Sequence, residues 1–222
     1  MLCTMGLAGV MAELKPHFET AIGSAIDVRL GPTAALSKEI ESGAAFDLAV
    51  LTTAAIEDFT ARGAIAPGTR TDIAQSCVGA TVTPGLPLPD IGSVEALKRT
   101  LLAAKRVCYT LSGASGKHFA SILPKLGIEK EIAAKALVID GFVAERVVKG
   151  EADLGFQQLS EIRAVAGSVL VGAIPDEVNL YTVFSAGLAA KTARRDKAAA
   201  LLRELASPAT LKVAVAKGLD PV

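Results

Sequence analysis

The sequence predicts an α/β protein of two lobes, each a mainly parallel sheet flanked by helices, with a ligand cleft between them. Short apolar runs alternate with stretches of helical periodicity along all 222 residues. The runs are continuously apolar, as in Leu48-Ala49-Val50-Leu51, which suits parallel strands covered on both faces. The alternation restarts after a proline-rich break, Pro84-Gly85-Leu86-Pro87-Leu88-Pro89-Asp90, so a second unit follows the first.

Leu7, Val10, Met11, Leu14 and Phe18 form one face at helical spacing, and Pro16 is expected to bend that helix. A strand over Ile26 to Leu30, a helix over Leu36 to Ile40 and a strand over Phe46 to Leu51 come next. Ile56 to Phe59 lies in a helix opened by Thr52 or Thr53. Ser76 to Thr83 reads as a strand leading into the proline-rich break. Beyond it come a helix from Ser93, a strand over Arg106 to Thr110, a helix through Leu126, and a strand over Leu137 to Ile139. A helix over Phe142 to Val148 precedes a strand over Leu154 to Gln158. Val169 to Val171 and the long run Leu180 to Leu188 read as strands, and Ser207-Pro208 separates two closing helices, Asp196 to Leu205 and Ala209 to Lys217.

Composition narrows the function. The 23 basic and 23 acidic residues balance without a polybasic run, so nucleic acid and anionic membrane surfaces are not expected partners. No apolar run reaches the roughly 20 residues of a membrane span. Cys3, Cys77 and Cys108, with His17 and His118, lack metal-ligand spacing, so neither a metal nor another cofactor is expected. Met1 to Gly6 has no basic or apolar leader region, which places the protein in the periplasm if a leader has been removed and in the cytoplasm if the chain is complete.

The stretch Leu111-Ser112-Gly113-Ala114-Ser115-Gly116-Lys117-His118 links a strand to a helix. Small residues there expose main-chain N–H groups at a helix N-terminus, where donors and macrodipole favour an anion. A nucleotide-binding phosphate loop is excluded, because only Ala114 and Ser115 separate Gly113 from Gly116-Lys117 and His118 replaces the hydroxyl. In an open α/β sheet the loops at the strand C-termini form the binding crevice. These are Thr4-Met5-Gly6, Gly31 to Ala34, Thr52-Thr53, Ser112 to Lys117, Asp140 to Phe142, and Gln157 to Glu161. Helix capping is the simpler account of any one of them taken singly.

Leu36-Ser37-Lys38-Glu39-Ile40-Glu41-Ser42-Gly43-Ala44-Ala45-Phe46-Asp47-Leu48 resembles a signature of molybdate-binding periplasmic proteins, in the type II solute-binding group. Gly150-Glu151-Ala152-Asp153-Leu154-Gly155-Phe156 is similar to a second motif of that family. Leu180-Tyr181-Thr182-Val183 and the segments around Ser207-Pro208 and Gly218-Leu219 are similar to its closing part. The resemblance implies a Venus-flytrap fold crossed twice by the chain. One lobe would span 1–79 plus 182–222, the other 80–181, with hinge strands near Ala80 to Thr83 and Asn179 to Thr182.

The same resemblance implies that the ligand is a small anion, held by neutral hydroxyls and main-chain N–H groups without counter-charges. The family's two serine positions fall on Gly6 and on Ala34 beside Thr33, and its tyrosine position on Gln158. Its alanine and valine positions fall near Ser115 and at Asp140 to Phe142. Each buried donor or acceptor left unpaired costs about 1–3 kcal/mol, so these substitutions point away from molybdate and toward an organic acid. Thr4, Met5, Gly6, Thr33, Ala34, Thr52, Thr53, Ser112, Ser115, Gly116, Lys117, Phe142 and Gln158 are therefore the expected ligand-binding residues. The resemblance implies a substrate-capturing component that serves a membrane permease of an ABC transporter. It also extends to aconitate isomerase, which moves a proton on a tricarboxylate, and in that case His118 and Glu161 are the candidate catalytic groups, with Cys3 and Lys117 as further plausible bases. An intracellular sensing domain is a third reading.

Overall fold

Apolar runs too short for a helix become strands where glycine, proline or a hydroxyl residue closes them, and the longer amphipathic stretches between become helices. The computed structural model describes residues 1–222 and divides into two units. Unit 1 comprises Met1–Gln75 and Thr182–Val222, and unit 2 comprises Ser76–Tyr181. Strands β4 (Thr71–Val82) and β9 (Tyr181–Leu188) carry the chain from one unit to the other.

Unit 1 holds β1 (Leu2–Thr4), a 3₁₀ turn (Met5–Leu7), α1 (Ala8–Ile22), β2 (Arg29–Gly31), α2 (Thr33–Glu41), β3 (Leu48–Thr52) and α3 (Thr53–Ala61). After β9 it is completed by α9 (Arg195–Leu205) and α10 (Pro208–Ala216). Its strands run in the order β2-β1-β3-β9, with β1 parallel to β2 and β3 and with β9 antiparallel to β3. Successive strand residues face opposite sides, and both sides are buried. Cys3, Leu48 and Val50 pack with Phe18, Phe184 and Leu201, whereas Leu2, Ala49 and Leu51 pack with Leu36, Ile56 and Phe59. That double burial explains why these strands read as unbroken apolar runs.

Unit 2 holds α4 (Val94–Ala103), β5 (Val107–Thr110), α5 (Ala114–Leu126), α6 (Glu129–Ala133), β6 (Ala136–Ile139) and α7 (Val143–Val148). It continues with β7 (Leu154–Gln158), α8 (Leu159–Arg163), β8 (Val169–Ala173) and a 3₁₀ turn (Asp176–Val178). The order is β4-β7-β5-β6, with β8 also pairing β4; β5 is parallel to β6 and β7, and β4 is antiparallel to β7 and β8. Its main core carries an aromatic stack, Phe119 on Phe156 at 4.2 Å, with Tyr109 tilted against Phe119. Cys108 faces the other side, against Val143 and Val147.

The structure departs from the sequence expectations at several elements. Helix α1 runs on through Pro16, which lies on its exposed face; the carbonyl of Ala12 that loses its partner there also belongs to an exposed residue. Strand β2 starts at Arg29 instead of Ile26, and β4 starts at Thr71 instead of Ser76. The early part of β4 contains Asp72 and Gln75, so it shows no apolar run; main-chain bonds between Gln75 and Asp220 of the C-terminal tail support it. The short α6 was not expected.

Candidate functional site at the strand-to-helix junctions

Every expected ligand-binding residue lies where a strand hands over to a helical turn, apart from Lys117 one turn into α5. In unit 1 these are Thr4, Met5 and Gly6 after β1, Thr33 and Ala34 after β2, and Thr52 and Thr53 after β3. In unit 2 they are Ser112, Ser115, Gly116 and Lys117 after β5, Phe142 after β6, and Gln158 after β7. The first four N–H groups of a helix have no partner within it. Ser93 and Ser207 satisfy such groups elsewhere, accepting the N–H of Ala96 at 3.1 Å and of Thr210 at 3.2 Å. Helices α2, α3, α5, α7 and α8 carry no such side-chain cap. Other helices, α9 among them, also begin uncapped. What distinguishes the site junctions is the set of polar side chains that stand there without capping.

In unit 1, Thr4 is buried, and Gly6 has no room for a side chain. A Cβ at Gly6 would lie 2.4 Å from the ring of buried Phe184, so this position offers only its main chain. Phe184 therefore occupies the space that a hydroxyl side chain at position 6 would need. Thr33 Oγ1 is buried with no hydrogen-bond partner, beside the half-buried Ala34.

The hydroxyl of Thr53 is committed. Arg70 pairs with both oxygens of Asp72 and, with a second hydrogen bond from Ser185, holds that carboxyl below its usual range. An ionised carboxylate only accepts, so Ser185 Oγ donates to Asp72 at 2.6 Å and its oxygen accepts from Thr53 Oγ1 at 2.7 Å. Thr53 therefore has only lone pairs left to offer. Thr52, half-buried at the N-cap of α3, makes no capping bond.

In unit 2 the loop before α5 is shaped by Thr110. Its Oγ1 accepts the N–H of Ser112 at 3.0 Å and of Gly113 at 3.2 Å, and it bonds the Ser112 hydroxyl at 3.0 Å. Gly116 lies so close to Thr110 that a Cβ would stand 1.7 Å from the Thr110 carbonyl oxygen. This approach brings the first turn of α5, with buried Ser115, against the end of β5. Lys117 is exposed, and Phe142 is half-buried at the N-cap of α7.

Gln158 is buried, and its neighbours Gln157 and Ser160 carry the other unpaired atoms. Gln157 Oε1 accepts the N–H of Ala144 at 3.2 Å, which fixes the amide orientation, while its Nε2 and Ser160 Oγ are buried without partners at hydrogen-bond distance. Gln157 and Ser160 lie in the expected crevice loop Gln157 to Glu161 but were not singled out as ligand-binding residues, and Thr110 and Ser185 were not anticipated from sequence as site residues. The signal for Gln157 was a polar residue inside an apolar strand run, and for Thr110 a hydroxyl two residues ahead of a Ser-Gly turn.

Of the four groups weighed for proton transfer, Lys117 is exposed, and the other three differ sharply. Glu161 follows Gln158 in the first turn of α8, where desolvation pushes its carboxyl up to about 7. Nearby N–H groups of the Gln157 side chain and the Gln158 main chain offset part of that rise, although Gln157 Nε2 makes no hydrogen bond of ordinary geometry. His118 has committed one nitrogen, since Nε2 lies 2.8 Å from the Val178 carbonyl and must donate to it. Cys3 is fully buried, and desolvation pushes its thiol up to about 12, so it stays protonated at neutral pH.

The chain matches the family described as bacterial extracellular solute-binding protein over residues 1–220. It is 35% identical to aconitate isomerase of Pseudomonas sp. over 229 residues, covering 100% of this chain and 87% of that protein. Among solved structures it is similar to the Azotobacter vinelandii periplasmic molybdate-binding protein, with a TM-score of 0.82 at 18% identity over 98% of this chain and 97% of that one. The sulfate-binding protein SubI of Mycobacterium tuberculosis gives a TM-score of 0.75 at 18% identity, covering 100% of this chain and 86% of that one. No helix is long and apolar enough to cross a membrane. The chain shares the fold of the periplasmic molybdate-binding protein, and it belongs to the bacterial extracellular solute-binding proteins.

Proposed function

We propose that this protein binds a small polycarboxylate through main-chain N–H groups and neutral side chains at the strand-to-helix junctions, and that it shifts a proton along the bound acid. The observation that carries the binding reading is that each unit has buried, unpartnered polar atoms at its own junctions, Thr33 Oγ1 in unit 1 and Gln157 Nε2 and Ser160 Oγ in unit 2. Such groups cost about 1–3 kcal/mol each unless something satisfies them. Carboxylate oxygens spread over several donors suit this lining better than a compact tetrahedral oxyanion. Gly6 has no hydroxyl, and the Thr53 hydroxyl hydrogen is already committed.

The proton-transfer reading rests on Glu161 and on the whole-length likeness to an aconitate isomerase. A base works best when its proton affinity lies near the working pH, and Glu161 is tuned there by burial. In aconitate, the ionised Glu161 carboxylate would take a proton from the methylene carbon, leaving an allylic anion delocalised into the adjacent carboxylate. The Glu161 carboxyl, whose proton can exchange with solvent while it is held there, then protonates the far end of the three-carbon system, the double bond moves, and no other reactant is needed. Main-chain donors at the junctions would stabilise the charge that develops on the carboxylate oxygens. Passive capture for a permease requires none of this.

Proton NMR of aconitate in deuterated buffer separates the two. Isomerisation predicts loss of methylene signal by deuterium exchange together with interconversion of the cis and trans acids. Aconitate that binds and raises the melting temperature without exchange would support capture alone.

A further inference from the structure

The helix that begins at the proposed ligand cradle is tied to the place where the chain leaves unit 2. Helix α5 starts beside Ser112 and Gly113, and one turn further on His118 donates from Nε2 to the carbonyl of Val178 at 2.8 Å. The next residue, Asn179, uses its whole side-chain amide. Its Oδ1 accepts the N–H of Val78 at 2.9 Å and of Leu180 at 2.8 Å, and its Nδ2 donates to the carbonyls of Val78 at 3.2 Å and Ile174 at 2.8 Å. Val78 lies in β4, just inside the first crossing of the chain, and Tyr181 is the last residue before the second. Tyr181 in turn bonds Asp176 Oδ1 at 2.9 Å. A path made of the His118 bond to Val178, the peptide link from Val178 to Asn179, and the hydrogen bonds of the Asn179 amide therefore joins α5 to both segments through which the chain passes between units.

We infer that His118 is a positioning residue that couples occupancy of the α5 cradle to the order of the Val178–Tyr181 segment. The inference rests on the proposed ligand site. It gives His118 a role distinct from that of a proton-transfer base: with Nε2 held as a donor, the imidazole works as a strut between a helix and a main-chain carbonyl. The hydrogen bonds of the path are either made or broken, so the segment has two discrete arrangements that a bound ligand can bias.

A double-mutant cycle on the intact chain tests it, with aconitate affinity measured by calorimetry for wild type, His118→Ala, Asn179→Ala and the double variant. His118 and Asn179 act in series along one path, so each single change is expected to weaken affinity about tenfold and the double change no more than either alone. His118→Gln keeps an N–H donor and is expected to restore most of the affinity. Hydrogen exchange at the amides of Val178 to Leu180 supplies a second readout: aconitate slows it in wild type and in His118→Gln, but not in His118→Ala. Affinity losses that multiply in the double variant would overturn the inference, as would an unchanged affinity in a folded His118→Ala. Wild-type protein that binds no aconitate would instead overturn the proposed site, and the coupling with it.

Discussion

Glu161→Gln is expected to lower proton exchange on aconitate by about 10²- to 10⁴-fold, the usual contribution of a positioned general base, while leaving aconitate bound. The amide keeps the size and hydrogen-bonding reach of the carboxyl but takes up no proton. Wild-type activity should rise with pH as Glu161 ionises, with an inflection near its pKa of about 7. Stability should run the opposite way. Burial raises the folded-state pKa above the ordinary 4.5, so the folded protein binds the proton more tightly than the unfolded chain does. The contribution of Glu161 to stability is therefore fully present below about pH 4.5 and is lost as pH rises to about 7. The Gln variant should lose that slope and melt higher than wild type above neutrality. Melting curves from pH 4 to 9, read with the exchange rate, check both halves; full activity in the variant would remove Glu161 from the chemistry.

Gly116→Ala should be the most damaging single change at the cradle. The added methyl would fall 1.7 Å from the Thr110 carbonyl oxygen and 2.7 Å from its carbonyl carbon, and these backbone atoms have no rotamer to escape into. Either α5 is displaced from the end of β5 or the sheet edge moves, at a cost of about 3 kcal/mol, the upper end of ordinary overpacking. Gly113→Ala is the matched control, because its nearest neighbour would be 3.9 Å away and its φ of −97° is open to any residue. Denaturant unfolding of the two variants, with aconitate binding on each, should show a large loss for the first and near-wild-type behaviour for the second.

Much of this was legible in the sequence because the relevant signals are local. Strands buried on both faces, such as Leu48-Ala49-Val50-Leu51, announce themselves as unbroken apolar runs, and small or hydroxyl residues at their ends mark the junctions. Elements stabilised by distant partners were not legible. The early part of β4 depends on Asp220 far along the chain, the three-residue β1 is too short to show a period, and β2, expected from Ile26, begins only at Arg29, where it pairs with β1. The same division runs through the site. The positions of Ser112, Thr33 and Gln158 follow from local pattern. The space filled by Phe184 over Gly6, the commitment of Thr53 through Ser185 to Asp72, and the bond from His118 to Val178 join residues about 60 to 180 apart, which no window of sequence brings together.

Calorimetric titration of the purified protein with aconitate, and separately with molybdate, tests the ligand class most directly. Saturating aconitate at about 100 times its dissociation constant should add about 2.7 kcal/mol to the stability of the folded state, and molybdate should add nothing measurable. Tight binding of molybdate with no response to aconitate would contradict the proposal, because it would require Gly6 and Ala34 to grip a tetrahedral oxyanion without the side-chain hydroxyls that they lack.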